Sequence, residues 1–334
     1  MALFRMIAIA LITFLLNSTI IAQGKLLDEF DLLDKVEFTS IQSALDNSTQ
    51  AYRLSLRNQN LSELSPRISQ LTNLQWLDLS ENQIAELPTE ITQLPNLQFL
   101  YLGINQLSKL PAGFGNLSNL KVLDLVYNQF TEFPGEVTLL TKLEKLFLGN
   151  NQIQDIPNTI GNLNKLQTLD LNDNQIAILP LQFDRLSRLN TLNLSGNQLS
   201  ALPMILSRLK KIETLDFSRN RIANIPEISL KKSGSWLLLD LSHNQLSNLP
   251  GNLNKMNKLQ SLNLQDNNFI FLLAVIGKLV TLQELNLSNN QLRALPSSVN
   301  RLRKLQRLFL SGNDFSPDVQ ESIQNRLPNV QIQF

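Results

Sequence analysis

The side chains able to do chemistry in this chain are few, and their spacing is uniform. Its 334 residues contain one histidine, His243, and no cysteine. Thiol nucleophiles, disulfides and thiolate metal sites are therefore excluded, and a lone histidine has no second one to share a metal. His243 stands beside Asn244 at a polar rim position. A surface or structural role outweighs catalysis there, because no acid–base or nucleophile constellation accompanies it. Four acids, Asp124, Asp170, Asp216 and Asp240, form a column with gaps of one or two repeats, and Asp173 lies close to Asp170. Weak calcium binding is one reading of that column; hydrogen bonding to neighbouring Thr and Ser is the favoured one. Gly196, in Ser195-Gly196-Asn197, belongs to a repeated corner rather than to a phosphate loop. The expectation is a protein that is not an enzyme, with no metal and no cofactor.

The elements that position these groups repeat. Asparagine recurs at 82, 105, 128, 151, 174, 197, 220, 244, 267, 290 and 313, every step being 23 residues except one of 24 between Asn220 and Asn244. Apolar residues keep fixed offsets around it, as in Leu74, Leu77, Leu79, Ile84, Leu87, Ile91 and Leu94, with Pro88 after Leu87. A unit this short cannot bury a core alone and must stack on copies of itself. Trp76-Leu77-Asp78-Leu79-Ser80 alternates as a half-buried strand does. Leu87-Pro88-Thr89-Glu90-Ile91 should return the chain in extended or single-turn form. The asparagine amide can bond backbone groups of its own turn and of the neighbouring one, so its role is structural. Gln59 takes that slot in the first repeat.

The segment Leu74-Gln-Trp-Leu77-Asp-Leu79-Ser-Glu-Asn82-Gln-Ile84-Ala-Glu-Leu87-Pro88 resembles the leucine-rich repeat family, and most of all its 23-residue subtype with the Leu-Pro step. The resemblance covers residues 51–315 in twelve copies. It implies an α/β solenoid, an arc or horseshoe with a concave parallel β-sheet, whose concave face usually binds other macromolecules. Helix-start signals at Thr39–Leu45 and at Ser316-Pro317-Asp318 point to helical caps at both ends, with Val330–Phe334 as a closing strand. The domain plan is a signal peptide over 1–22, an N-terminal cap segment over 23–50, the solenoid over 51–315 and a C-terminal cap over 316–334.

Function is sought where the repeat is broken. One exposed column of the sheet runs Arg53, Trp76, Phe99, Val122, Lys145, Thr168, and the next runs Ser55, Asp78, Tyr101, Asp124, Phe147, Asp170. Later entries to both columns are mostly small and polar. In repeats two to five, Trp76, Phe99, Tyr101, Val122 and Phe147 stand out, together with Ile104, Val126 and Tyr127 in the turns that follow and with Asp124. A contiguous patch of large apolar side chains marks an interaction site. The competing expectation is that residues 24–37, apolar on one face and acidic on the other, fold back over this patch. Two weaker departures are the insertion Ile228–Ser235 and the run Phe269–Ile276, in which Leu273 replaces the proline. The latter reads either as an outer-face contact or as a different packing solution.

Met1–Arg5 carry one positive charge, Met6–Leu16 are apolar and Ala22 offers a small-residue cleavage point. This is the pattern of a secretory signal, favoured over a retained anchor. Basic and acidic residues number 29 and 28, a balance that provides no footprint for nucleic acid or anionic membrane. The expectation is therefore an exported bacterial protein, secreted, periplasmic or on the cell surface, with no membrane insertion after signal removal. It would grip a protein ligand through the aromatic patch. The alternatives are a carbohydrate-binding protein using the same aromatics to hold a glycan, or a proteinaceous enzyme inhibitor.

Overall fold

The structure is a computed structural model that describes residues 26–230 and 235–334. The secretory segment over 1–22 and the centre of the insertion, 231–234, lie outside the described residues. The described residues form two compact units, divided between Leu123 and Asp124.

In the first unit, α1 (Glu29–Leu33), β1 (Glu37–Phe38) and α2 (Ile41–Asp46) precede β2 (Arg53–Ser55), β3 (Trp76–Asp78) and β4 (Phe99–Tyr101). β1 pairs parallel with β2, an addition to the cap that sequence alone did not suggest. Residues 23 apart become neighbours across the sheet: Arg53 faces Trp76, Trp76 faces Phe99 and Asp78 faces Tyr101. The columns inferred from spacing are thus real columns. Ser40 starts α2, its hydroxyl accepting from Ser43 N–H. Gln59 donates from its amide to Thr39 O at 2.8 Å, tying the first repeat to the cap.

β5 (Val122–Asp124) straddles the boundary between the units. The second unit carries β6 (Lys145–Phe147), β7 (Thr168–Asp170), β8 (Thr191–Asn193), β9 (Thr214–Asp216), β10 (Leu238–Asp240), β11 (Ser261–Asn263), β12 (Glu284–Asn286) and β13 (Arg307–Phe309). After them come α3 (Pro317–Arg326) and β14 (Gln331–Gln333), which pairs parallel with β13 and closes the sheet as the Val330–Phe334 alternation suggests. Ser316 holds the N-cap position of α3, but its hydroxyl makes no capping bond.

Strands β2 to β13 are three residues long, each with a central leucine buried in the core, and the return arm is a turn of 3-10 helix, such as Thr89–Gln93 or Asn158–Asn162. Pro88, Pro157 and Pro180 sit just before these turns with φ near −70°. Leu273 adopts φ −67° and ψ 148° at the equivalent place. Replacing the proline therefore leaves the backbone entering the return arm unchanged, and Ile270 and Phe271 are left exposed.

The asparagine bonds have the same form in successive repeats. Asn174 donates to Leu171 O and Asn172 O in its own turn and to Leu148 O of the preceding repeat, each at 3.0–3.1 Å. Its Oδ1 accepts from Ile153 N–H at 2.9 Å. Asn174→Ala should lower stability by about 3 kcal/mol, since each buried backbone group left without a partner costs about 1–3 kcal/mol. The exposed neighbour change Gln175→Ala should stay within about 0.5 kcal/mol. Urea unfolding midpoints of the two variants test this, and equal midpoints would refute it.

Candidate functional site

The residue before each ladder asparagine turns the corner with a left-handed backbone. Glu81, Ile104, Tyr127, Asn150, Asp173, Arg219, His243, Asp266 and Asn289 all have φ between 48° and 58°, and Gly196 and Gly312 have φ of 64° and 70°. Gly, Asn and Asp suit this region; a β-branched or bulky residue in it is a true outlier. Ile104 is β-branched and Tyr127 bulky, yet Ile104 is 48% exposed and Tyr127 56%. Neither gains core burial in return for the strain. Backbone strain without a packing reward is a mark of functional sites.

In the first unit, Ile104 follows β4, whose Tyr101 ring lies 5.5 Å from that of Trp76 at an interplanar angle of 49°. The Arg53 guanidinium stands 5.0 Å from the Trp76 ring centroid, a favourable cation–π approach. Arg53 also pairs with Glu37 at 2.7 Å and donates to Leu33 O at 3.0 Å. Trp76 and Tyr101 are half-buried, held by their neighbours with part of each ring at the surface.

Phe99 and Val122 correct the expected patch: both are buried, Phe99 to 3% exposure. Phe99 lies in register with the large Trp76 ring on β3. Gln98, next to it in the chain, donates from Nε2 to Leu27 O at 2.9 Å and so holds the N-terminal segment at the start of β4. Val122 is short, and its backbone pairs with Gln98 O, beside the larger Phe99. The alternative that residues 24–37 fold over the patch is met only at this edge. Leu27 and Leu32 turn towards the protein, whereas Phe30, Leu33 and Val36 remain exposed.

In the second unit, Asp124 accepts from Val126 N–H at 2.9 Å, and Tyr127 follows at the left-handed corner. Val126 and Phe147 are half-buried. Phe147 is the register partner of Asp170.

Family models agree with this architecture. One described as a leucine-rich repeat region matches residues 40–148, a leucine-rich repeat model matches 141–199, and a two-copy model matches 280–321. The chain carries leucine-rich repeats. A leucine-rich repeat protein of Leptospira interrogans is 28% identical, with a TM-score of 0.51, over 90% of this chain and all of that one. A chain in the crystal structure of PEPR1–AtPEP1 is 29% identical, with a TM-score of 0.67, over 81% of this chain and 40% of that one. An internalin from Listeria monocytogenes, 23% identical with a TM-score of 0.59 over 79% of this chain and 88% of its own, shares the fold. No curated protein matches the chain. Leucine-rich repeat proteins are generally non-enzymatic scaffolds for protein interaction. Among the described residues no helix is long and apolar enough to cross a membrane.

Within this solenoid the acidic column has a local explanation. Asp78, Asp170, Asp216 and Asp240 each accept from the backbone N–H two residues on, at 2.8–2.9 Å, and Asn193, Asn263 and Asn286 do the same work. These are Asx turns that lead the strand into its corner. Their main partner is backbone, not the Thr and Ser hydroxyls expected, although Ser80 and Ser242 add hydroxyl bonds to Asp78 and Asp240. His243 occupies the left-handed column and places Nε2 3.3 Å from Asp266 Oδ2.

The strand columns do not include one further surface of the second unit. A groove of 720 Å³ is lined by Ile178, Leu181, Pro203, Met204 and Ile228 among others. Ile178 is 77% exposed and Leu181 72%. The signal was present beside the Leu-Pro step, where Glu86, Lys109, Glu132 and Asp155 give way to Ile178 and Ala201, and where Leu181 and Met204 follow the proline.

Burial raises the proton affinity of Asp170, an effect only partly offset by bonds from Asn172 and Asn193. A carboxyl that binds its proton more tightly when folded supports the fold most below its unfolded pKa, and that support is lost as pH rises through the folded value. The stability of the parent relative to Asp170→Asn should therefore fall as pH is raised from about 3 to about 7. Urea midpoints of both proteins across that range read it directly; a constant difference, or one growing with pH, would rule it out.

Proposed function

We propose that the protein is an exported, non-enzymatic scaffold that grips a protein ligand on its strand face. The observation that carries this reading is the left-handed corner occupied by Ile104, and again by Tyr127 in the second unit. A non-glycine residue in this conformation costs about 1–2 kcal/mol. Asparagine or glycine would relieve that cost at no loss of core, as at Asn150 and Gly196. Retaining large apolar side chains there is explained by what they touch outside the chain. Trp76 and Tyr101 add the amphipathic anchors typical of protein interfaces, and Phe147 and Val126 extend the same chemistry within the second unit. The PEPR1–AtPEP1 and Toll–Spätzle complexes among the structural neighbours pair this fold with protein partners. The N-terminal pattern ending at Ala22 supports export, and the absence of cysteine supports a bacterial source. A proteinaceous enzyme inhibitor would be one form of such a scaffold.

The carbohydrate alternative is less favoured, because Arg53 already lies over the Trp76 ring on which a sugar would stack. Affinity capture with the mature chain, followed by the same capture with variants, tests the proposal. Trp76→Ser with Tyr101→Ser should reduce the captured protein at least tenfold with a nearly unchanged melting temperature. Ile104→Asn should raise stability by about 1 kcal/mol while weakening capture. Undiminished capture by these variants, or signal only on a glycan array, sinks the reading.

A further inference from the structure

Gln75 and Gln98 stand one residue before Trp76 and Phe99, and both are fully buried. Their counterparts Gln167, Gln260, Gln283 and Gln306 are not buried. A buried amide is costly unless it is bonded, and these two are bonded to the main chain of one distant residue. Leu27 N–H donates to Gln75 Oε1 at 2.9 Å, and Gln98 Nε2 donates to Leu27 O at 2.9 Å. Gln98 Nε2 also donates to Gln75 Oε1 at 2.8 Å, locking the two amides into one unit. In an extended chain the N–H and C=O of a residue point the same way, so a paired acceptor and donor can read both, as a neighbouring strand does.

The bonds ask nothing of the Leu27 side chain. Gln98 Oε1, moreover, is buried and without a hydrogen-bond partner, so the present occupant leaves one acceptor of the pair unused. The occupant's own side chains add little to that hold: Leu26, Phe30 and Leu33 are exposed, and Leu32 is the one side chain of α1 that is buried, so the segment is anchored further on, by Arg53 at Leu33 O and Glu37.

We infer that Gln75 and Gln98 form a docking site for the main chain of an extended peptide, and that residues 26–28 are its resident, displaceable occupant. The ligand is the main chain of an extended segment of a protein partner, recognised through one residue's N–H and C=O, as Leu27 is, and not through its side chains. The inference rests on reading the strand face of the first unit as a ligand surface, which the site adjoins at Trp76 and Phe99. It explains why two glutamines of the first unit are buried while their counterparts in the second are not.

A fluorescein-labelled synthetic peptide of residues 23–33 is the probe. It is titrated against the full chain and against full-length Leu27→Pro, which loses the strap's N–H donor. The peptide should bind Leu27→Pro at least tenfold more tightly than the parent, and adding Gln75→Ala and Gln98→Ala should abolish that binding. Equal binding to parent and variant, binding that survives loss of both glutamines, or no binding at all overturns the inference. Should Leu27→Pro fail to fold, amide exchange of the parent decides: Leu27 N–H should be protected, and the protection lost in Gln75→Ala/Gln98→Ala. An unprotected Leu27 amide overturns it as well. Sedimentation of the parent separates a second copy from a partner peptide, because a dimer abolished by the glutamine changes would assign the site to self-association. Failure through the glutamines is distinct from failure of the ligand surface, which is read by capture with the Trp76 and Tyr101 variants.

Discussion

The constraint on which the fold depends is that a tight corner between repeats strands backbone groups where water cannot reach them. One asparagine amide per repeat resolves it. Asn151, Asn174 and Asn197 each bond two carbonyls of their own turn and one of the preceding repeat, while accepting an N–H from that same repeat. No other side chain of that length offers both a donor pair and an acceptor. The bonds join neighbours at a fixed stagger, and the parallel registers of Trp76 with Phe99 and Thr168 with Thr191 follow from it.

The same corner creates the place where the proposed ligand surface lies. Turning the asparagine inward requires a left-handed residue just before it, and the Asx turns of Asp78 or Asp216 guide the strand into that conformation. Most repeats fill the corner with residues suited to it or with charged side chains that find a partner, such as Glu81 with Arg57 and Arg219 with Asp173. Ile104 and Tyr127 do neither. Their strain is tolerated because the stacked core on both sides over-determines the backbone. Stability supplied by the scaffold is thus spent at two corners whose side chains face solvent.

Much of this was legible without coordinates. Because the side-chain period of a strand is two and the repeat is 23, Trp76, Tyr101, Ile104, Tyr127 and Phe147 could be assigned to their columns by counting. The caps at Ser40 and Pro317 were legible from local chemistry as well. What was not legible involved partners far away in sequence. Phe99 and Val122 occupy exposed columns by count, yet they are buried beside a glutamine that holds Leu27 from 71 residues away. The apolar groove at Ile178, Leu181 and Met204 lies beyond the strand columns, along the return arms, where the departures from polar residues are just as regular.

The sequence by itself determined the repeat, the strand register, the role of the asparagines and the absence of thiol chemistry, because each follows from short-range spacing or composition. Only the tertiary structure decided which of the large side chains remain accessible and which glutamines are buried against the N-terminal segment. It also assigned the acids of Asp170's column to Asx turns. Accessibility is set by contacts between distant segments, which spacing within a repeat does not encode. A periodic pattern specifies where a side chain points; what lies opposite it is decided when the rest of the chain arrives.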